Sequence, residues 1–441
     1  MGALRTDNTS TSLKRFILLS LIAFAAIFLD MVFADSSTVI SLSSDLFILL
    51  FIVLASLFVV TQYGIIKYID HIRTKIKYLN SIHRATFAIQ YVFVAILILL
   101  IIQITFSGSY DTGFLIFGSD ISFAVSSFLM AMLTSKFLSW YRSTRNFVIL
   151  LYGLASCTAC VALVSLLVFY HASLSLLPQE RTPLSEAPLQ FYDQSSAMGA
   201  LQYLTAVLSF IPPLLFWTST AALLKHYSKS VGKVRFWIVM SIPMVFIISQ
   251  PVIVAPLIYV ATDPSLNPIH VTVLGNMLPG IIGGIIFGIP FLLVSRTLRS
   301  GTSDLQKYML VAACGFILST LSLQMSVESA PYPPFGLVTV FFVVVSSYMI
   351  LVGLYSSAIS VSRNADLRQS IRKYVLQEVR FLDSIGYAHM EKEIEQKAVE
   401  VAKKSGSPEQ ESELSTSPDD EDVREYVEQV MDEMKKLKRI D

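Results

Sequence analysis

LFILLFIVLASLFVVTQYGII (residues 46–66), KYIDHIRTKIKYLNSIHR (67–84) and TFAIQYVFVAILILLIIQITF (86–106) decide the fold when read together. Each outer stretch is an uninterrupted apolar run of about 20 residues, the length a helix rising 1.5 Å per residue needs to cross about 30 Å of hydrocarbon. Backbone polar groups facing lipid must be hydrogen-bonded within their own segment, so each run is read as a helix. The stretch between them carries Lys67, Arg73, Lys75, Lys77 and Arg84. That basic character marks a short connection held on the cytoplasmic side.

The same grammar repeats along the chain. After a first apolar stretch at 16–29, nine runs follow: approximately 46–66, 86–106, 114–140, 147–170, 200–224, 237–260, 274–294, 309–327 and 337–359. Lys and Arg concentrate on every second connection, at 67–84, 142–145, 225–235, 296–307 and after Arg363. The intervening connections are poor in both, with Arg181 the exception. The alternation predicts a multi-pass protein of the cell membrane whose C-terminus is cytosolic.

Composition points the same way. Apolar residues are 54% of the 441 and charged residues 15%, and mean hydropathy is +0.63, well above a soluble domain of this size. The net charge of +1 averages basic membrane connections with an acidic tail. No basic face dominates, so nucleic acid is not an expected partner and the lipid bilayer is. Cys157, Cys160 and Cys314 all lie inside apolar runs, which indicates no disulfide framework.

Two readings of the first run stay open. Lys14 and Arg15 precede Phe16–Leu29, and Val32-Phe33-Ala34 offers small residues where a signal peptidase cuts, before Asp35. Retained, residues 1–34 form a first transmembrane helix with the N-terminus inside. Either way residues 35–362 make an all-α transmembrane bundle of the same orientation.

Charged groups at mid-bilayer mark ion paths and catalytic sites, and this chain has few. Asp45, Asp120 and Lys136 fall within about two turns of expected helix ends. Asp120 is retained as a pathway candidate, because Gly118, Ser119 and Ser122 leave room beside it. None of the six histidines takes the mid-helix position of a haem ligand. His171, His270 and Asp193 meeting across the outer face would be a weak metal set. Cys157 and Cys160, three apart among small apolar residues, read as helix packing. No cofactor, resident metal or enzymatic activity is expected.

The fifth to seventh runs after the first are unusual. Pro212 and Pro213 interrupt one, Pro243, Pro251 and Pro256 the next, Pro279 and Pro290 the third. Each proline frees a carbonyl from the helical ladder. Gly280, Gly284 and Gly288 line one face with bare backbone. Broken helices that expose carbonyls, with Gln202, Trp217, Gln250 and Asn276 nearby, predict a cavity for a neutral or weakly polar solute.

The tail divides into membrane-proximal helices (363–404), a Ser-, Glu- and Pro-rich linker (405–418) and a last helix (419–441). There Val423, Val427, Val430, Met434 and Leu437 alternate steps of four and three, the seam of a short coiled coil that needs a partner. That partner is a second copy of the chain, the proximal helices or a cytosolic protein. Gly386 offers a stop between two proximal helices.

The segment Leu367–Lys397, with Ser370-Ile371-Arg372-Lys373, Asp383-Ser384-Ile385-Gly386 and Met390-Glu391, resembles the tails of uncharacterised archaeal membrane proteins. The resemblance covers about 30 residues and implies a lineage, with no activity to carry over. The residues themselves favour a permease-like protein, with a sensor or scaffold signalling through the helical tail as the alternative.

Overall fold

The computed structural model describes residues 3–36, 44–72, 77–183, 196–225, 232–249, 278–297, 303–323, 331–363, 381–382 and 384–394. The described chain is all-α apart from one two-residue ladder. Its helices are α1 (Ala3–Ser36), α2 (Ser44–Ile72), α3 (Lys77–Ser107), α4 (Thr112–Thr144), α5 (Phe147–Ser175), α6 (Ala197–Leu224), α7 (Lys233–Ser249), α8 (Leu278–Thr297), α9 (Ser303–Ser322) and α10 (Leu337–Arg363). Eight of them, α1 to α6 with α9 and α10, are long and apolar enough to cross a membrane. They include the first run and seven of the nine that follow it. Of the other two runs, α7 is described over 17 residues, and α8 has an apolar stretch of Gly280–Leu293.

Several helix ends follow from local chemistry. Asp111 caps α4 by accepting the Gly113 N–H at 2.7 Å, Asn146 caps α5 by accepting that of Val148 at 2.9 Å, and Ser196 caps α6 by accepting that of Gly199 at 3.0 Å. Each side-chain oxygen satisfies a donor that a helix start leaves unpaired. Arg145 ends α4 in the left-handed region (φ 54°), and its N–H donates to the Tyr141 carbonyl at 2.8 Å.

The last span is the axis of the bundle. Helix α10 touches α1, α2, α3, α4 and α9, and every residue of its 337–362 segment is buried apart from a half-buried Ser360. Aromatic rings lock α10 in place: Phe93 of α3 stacks on Phe341 with centroids 4.1 Å apart, and Phe58 of α2 meets Phe342 edge-on at 5.0 Å. Glycine allows the α9 contact, since a Cβ on Gly353 would lie 2.6 Å from the Ala312 nitrogen and one on Gly315 would lie 2.9 Å from that of Ile350.

At one end of the bundle, strands β1 (Tyr110–Asp111) and β2 (Glu180–Arg181) pair antiparallel. The Tyr110 hydroxyl donates to the Pro331 carbonyl at 2.9 Å, which ties this ladder to the approach of α10. Arg181, the exception to the charge alternation, is buried there. At the opposite end, residues 384–394 form a helix that docks on the bundle. Lys392 donates to Ser139 Oγ at 2.7 Å, Asn146 Nδ2 donates to Ser384 Oγ at 3.3 Å, and Ser143 donates to Glu391. Gly386 is no stop: the helix runs through it, and Val361 and Ser362 of α10 press on it so closely that a Cβ would lie 2.3 Å from Val361 Cγ1. The coiled-coil positions Val423, Val427, Val430, Met434 and Leu437 lie outside the described residues.

Candidate functional site

Polar side chains collect where α2 and α3 face α10. Buried positions on α3 recur as His83, Thr86, Gln90, Phe93, Leu97, Leu100 and Ile104, in steps of three and four that mark one helical face. Phe93 to Ile104, nearer the ladder end, are apolar, and His83, Thr86 and Gln90 are polar, with the buried Leu79 one step of four before them. On α2 the corresponding face changes from Phe47, Phe51 and Phe58 to Thr61 and Gln62. Phe93 stacks on Phe341 and Phe58 meets Phe342 edge-on, which holds α2 and α3 against α10 beside these polar turns.

His83 organises the stripe. Its Nδ1 lies 2.8 Å from the Tyr348 hydroxyl and its Nε2 lies 3.3 Å from Asp70 Oδ1. An ionised carboxylate only accepts, so Nε2–H donates to Asp70 and, in the neutral ring, Nδ1 accepts from the Tyr348 hydroxyl. Tyr348 is fully buried, about 16 Å along α10 from Leu337 and about 22 Å from Arg363. The hydrogen bond therefore joins the tail-end part of α3 to the middle of α10.

The amides beside it are less well satisfied. Gln90 is 2% exposed and neither its Oε1 nor its Nε2 has a hydrogen-bond partner among the described residues; the same holds for Gln62 Oε1 at 4% exposure. The Thr61 hydroxyl, by contrast, bonds back to the Leu57 carbonyl at 2.6 Å. Unpaired buried amides are costly, which places these two among the polar groups that packing alone does not explain.

A buried carboxylate lies at the ladder end. Asp30 of α1 is fully buried, and its Oδ2 accepts from the Thr339 N–H and from Thr339 Oγ1, each at 2.8 Å. Thr339 is in the first turn of α10, where backbone donors are free.

The residues that the sequence nominated are dispersed. Asp120 is half-buried on α4, near Gly118, Ser119 and Ser122. Its Oδ2 accepts from His171 Nδ1 at 2.8 Å, while a Cβ on Gly118 would lie 2.9 Å from the Phe341 ring and Ser122 donates to the Val340 carbonyl at 2.6 Å. The small residues there serve the approach of α4 to α10.

Helix α6 is continuous through Pro212 and Pro213. A mid-helix proline removes one ladder bond without ending a helix whose neighbours pack on it. Gln202 is half-buried on α6. Trp217 donates from Nε1 to the Met240 carbonyl and, with Lys233, Trp237 and Ser241, lines a mostly apolar pocket of about 640 Å³.

Pro279 falls in the first turn of α8, where its missing donor costs little, and Gly280 is buried. Gly284 and Gly288 face α9, where a Cβ would meet Thr320 Oγ1 at 2.2 Å and the Ala313 carbonyl at 3.1 Å respectively. That face is a tight helix contact. Gln250, Pro251 and Asn276 lie outside the described residues, as do His270 and Asp193. Among the described residues no group of three His, Cys, Asp or Glu side chains is arranged to hold a metal.

Sequence reading missed the stripe because it placed His83 in the connection and began the helix at Thr86. The signal was present: His83, Thr86 and Gln90 already stand at steps of three and four. No family model, no curated protein and no solved structure matches this chain.

Proposed function

We propose that this integral membrane protein is a permease-like carrier or channel for a neutral or weakly polar solute, in the cell membrane with its C-terminus cytosolic, and that the solute passes along α10 beside α2 and α3. The observation that carries the reading is the pair of buried amides, Gln62 of α2 and Gln90 of α3, together with the His83–Tyr348 hydrogen bond between α3 and α10. Polar groups inside a membrane bundle are expensive and are retained where something polar must pass or bind. These are amides, hydroxyls and an imidazole, which suits an uncharged solute. No catalytic role is proposed for them.

The test is osmotic light scattering on proteoliposomes with glycerol, urea and alanine as probes. At least one probe should enter faster than into protein-free vesicles, and Gln62→Leu with Gln90→Leu should remove the excess rate at an unchanged melting temperature. Entry of all three at the protein-free rate would contradict the reading.

One observation favours a sensor or scaffold instead. The 384–394 helix is held to α4, α5 and α10 by polar contacts and by the seating of Gly386, so a shift of α10 would reach the tail directly. A chain ending at Ala365 should keep its solute flux if the protein is a permease and lose all output if it is a sensor.

A further inference from the structure

A pocket of about 460 Å³ opens between α2 and α3 on the flank of the bundle, lined by Tyr63, Lys67, Asp70, His83, Arg84 and Tyr91 among others. The spans Asp45–Ile72 and Leu79–Ser107 hold 28 and 29 residues. That is about 42 Å of helix each, against about 30 Å of hydrocarbon, so the last turns extend into the headgroup layer. Lys67 lies about 7 Å from the end of α2 and Arg84 about 10 Å from the start of α3, near the hydrocarbon boundary, from which their long side chains reach the headgroup level.

The charges in the pocket are unequally used. Asp70 is turned to His83, whereas among the described residues neither Lys67 nor Arg84 has a carboxylate within 4 Å. Tyr63 and Tyr91, 46% and 60% exposed, flank Phe87, which meets Tyr91 edge-on at 4.9 Å, and Lys67 Nζ stands 5.6 Å from the Tyr63 ring. Two cations on facing helices, framed by amphipathic rings whose apolar bodies face outward, match an anion whose attached chains lie in the bilayer. Basic pockets between membrane helices at this depth suit phosphorylated headgroups.

We infer that the α2–α3 pocket binds a phosphate-bearing anion through Lys67 and Arg84, supplied as the headgroup of an anionic phospholipid whose chains run over Tyr63 and Tyr91. The site shares His83 with the solute reading, but the cations that would hold the anion, Lys67 and Arg84, are no part of that reading.

The test uses the full-length protein in detergent, with thermal shift and native mass spectrometry. The probes are short-chain phosphatidylglycerol, the matching uncharged diacylglycerol and inorganic phosphate. Phosphatidylglycerol should raise the melting temperature and remain bound in the gas phase. Lys67→Gln with Arg84→Gln should weaken its binding at least about tenfold, while Lys307→Gln, whose lysine pairs with Asp304 elsewhere, should not. If the double variant melts early without lipid, the two single variants are compared instead. Protection by inorganic phosphate alone would keep the anion site and assign its source to solution. Equal protection of wild type and variants, or protection by diacylglycerol as strong as by phosphatidylglycerol, would overturn the inference.

Discussion

The carboxylate of Asp30 accepts both the backbone N–H and the hydroxyl of Thr339 at 2.8 Å, although 309 residues separate the two. The first helix of the chain thereby caps the axial helix, supplying the anion that a helix N-terminus favours. Asp30→Ala should lower stability by about 2 kcal/mol, with Asp30→Asn milder because its carbonyl oxygen can still accept both bonds, without the charge. Melting curves in detergent check this, and equal melting of wild type and Asp30→Ala would remove the cap from the account.

The same contact bears on processing. If α1 caps α10 in the mature protein, residues 1–34 are retained, and intact-mass measurement of membrane-purified protein should include Asp30. A mass beginning at Asp35 would restore the signal-peptide reading.

Close helix contact at α9 and α10 gives a second stability prediction. A side chain on Gly353 meets Ala312 backbone at 2.6 Å, so Gly353→Val should cost about 3 kcal/mol or prevent folding. Gly284→Leu, pressed on Thr320 and Ile317, should behave similarly. Gly232, whose Cβ would meet nothing within 4 Å but whose φ is +94°, should lose only about 1 kcal/mol on change to Ala. Expression and melting temperature rank the three.

Tyr110, outside the spans, predicts an alkaline limit. Burial pushes its hydroxyl well above the ordinary phenol range; Arg181 nearby pulls it back in part and Tyr332 adds to the push. The folded state therefore holds the proton more tightly than the unfolded chain. Its contribution is complete below about pH 10 and is lost as pH rises beyond that, through the higher folded value. Tyr110→Phe should be slightly less stable at pH 7, by about 1 kcal/mol, and should melt with a shallower decline above pH 10. An alkaline decline identical to that of wild type would assign the effect to other groups.

How much of this was legible beforehand depends on which physics was involved. Apolar length and loop charge identified the spans, since both act locally along the chain. Helix α3 begins at Lys77, well before its apolar run, because polar residues continue a helix beyond the hydrocarbon; the reading therefore lost His83 to a loop. The partners of Asp30, Gly118 and Gly284 are set by which helices meet, and no residue spacing states that. The prolines at 212 and 213 misled because a missing hydrogen bond was equated with a broken helix, whereas packing against neighbours carries α6 through.

The stripe along α10 is the centre of the account, and cysteine labelling tests it without knowledge of the solute. With Cys157, Cys160 and Cys314 replaced, Gln90→Cys and Phe93→Cys are each exposed to a water-soluble methanethiosulfonate in sealed proteoliposomes. The account predicts that position 90 reacts while position 93, sealed against Phe341, does not. Equal lack of reaction at both positions in folded protein would contradict it.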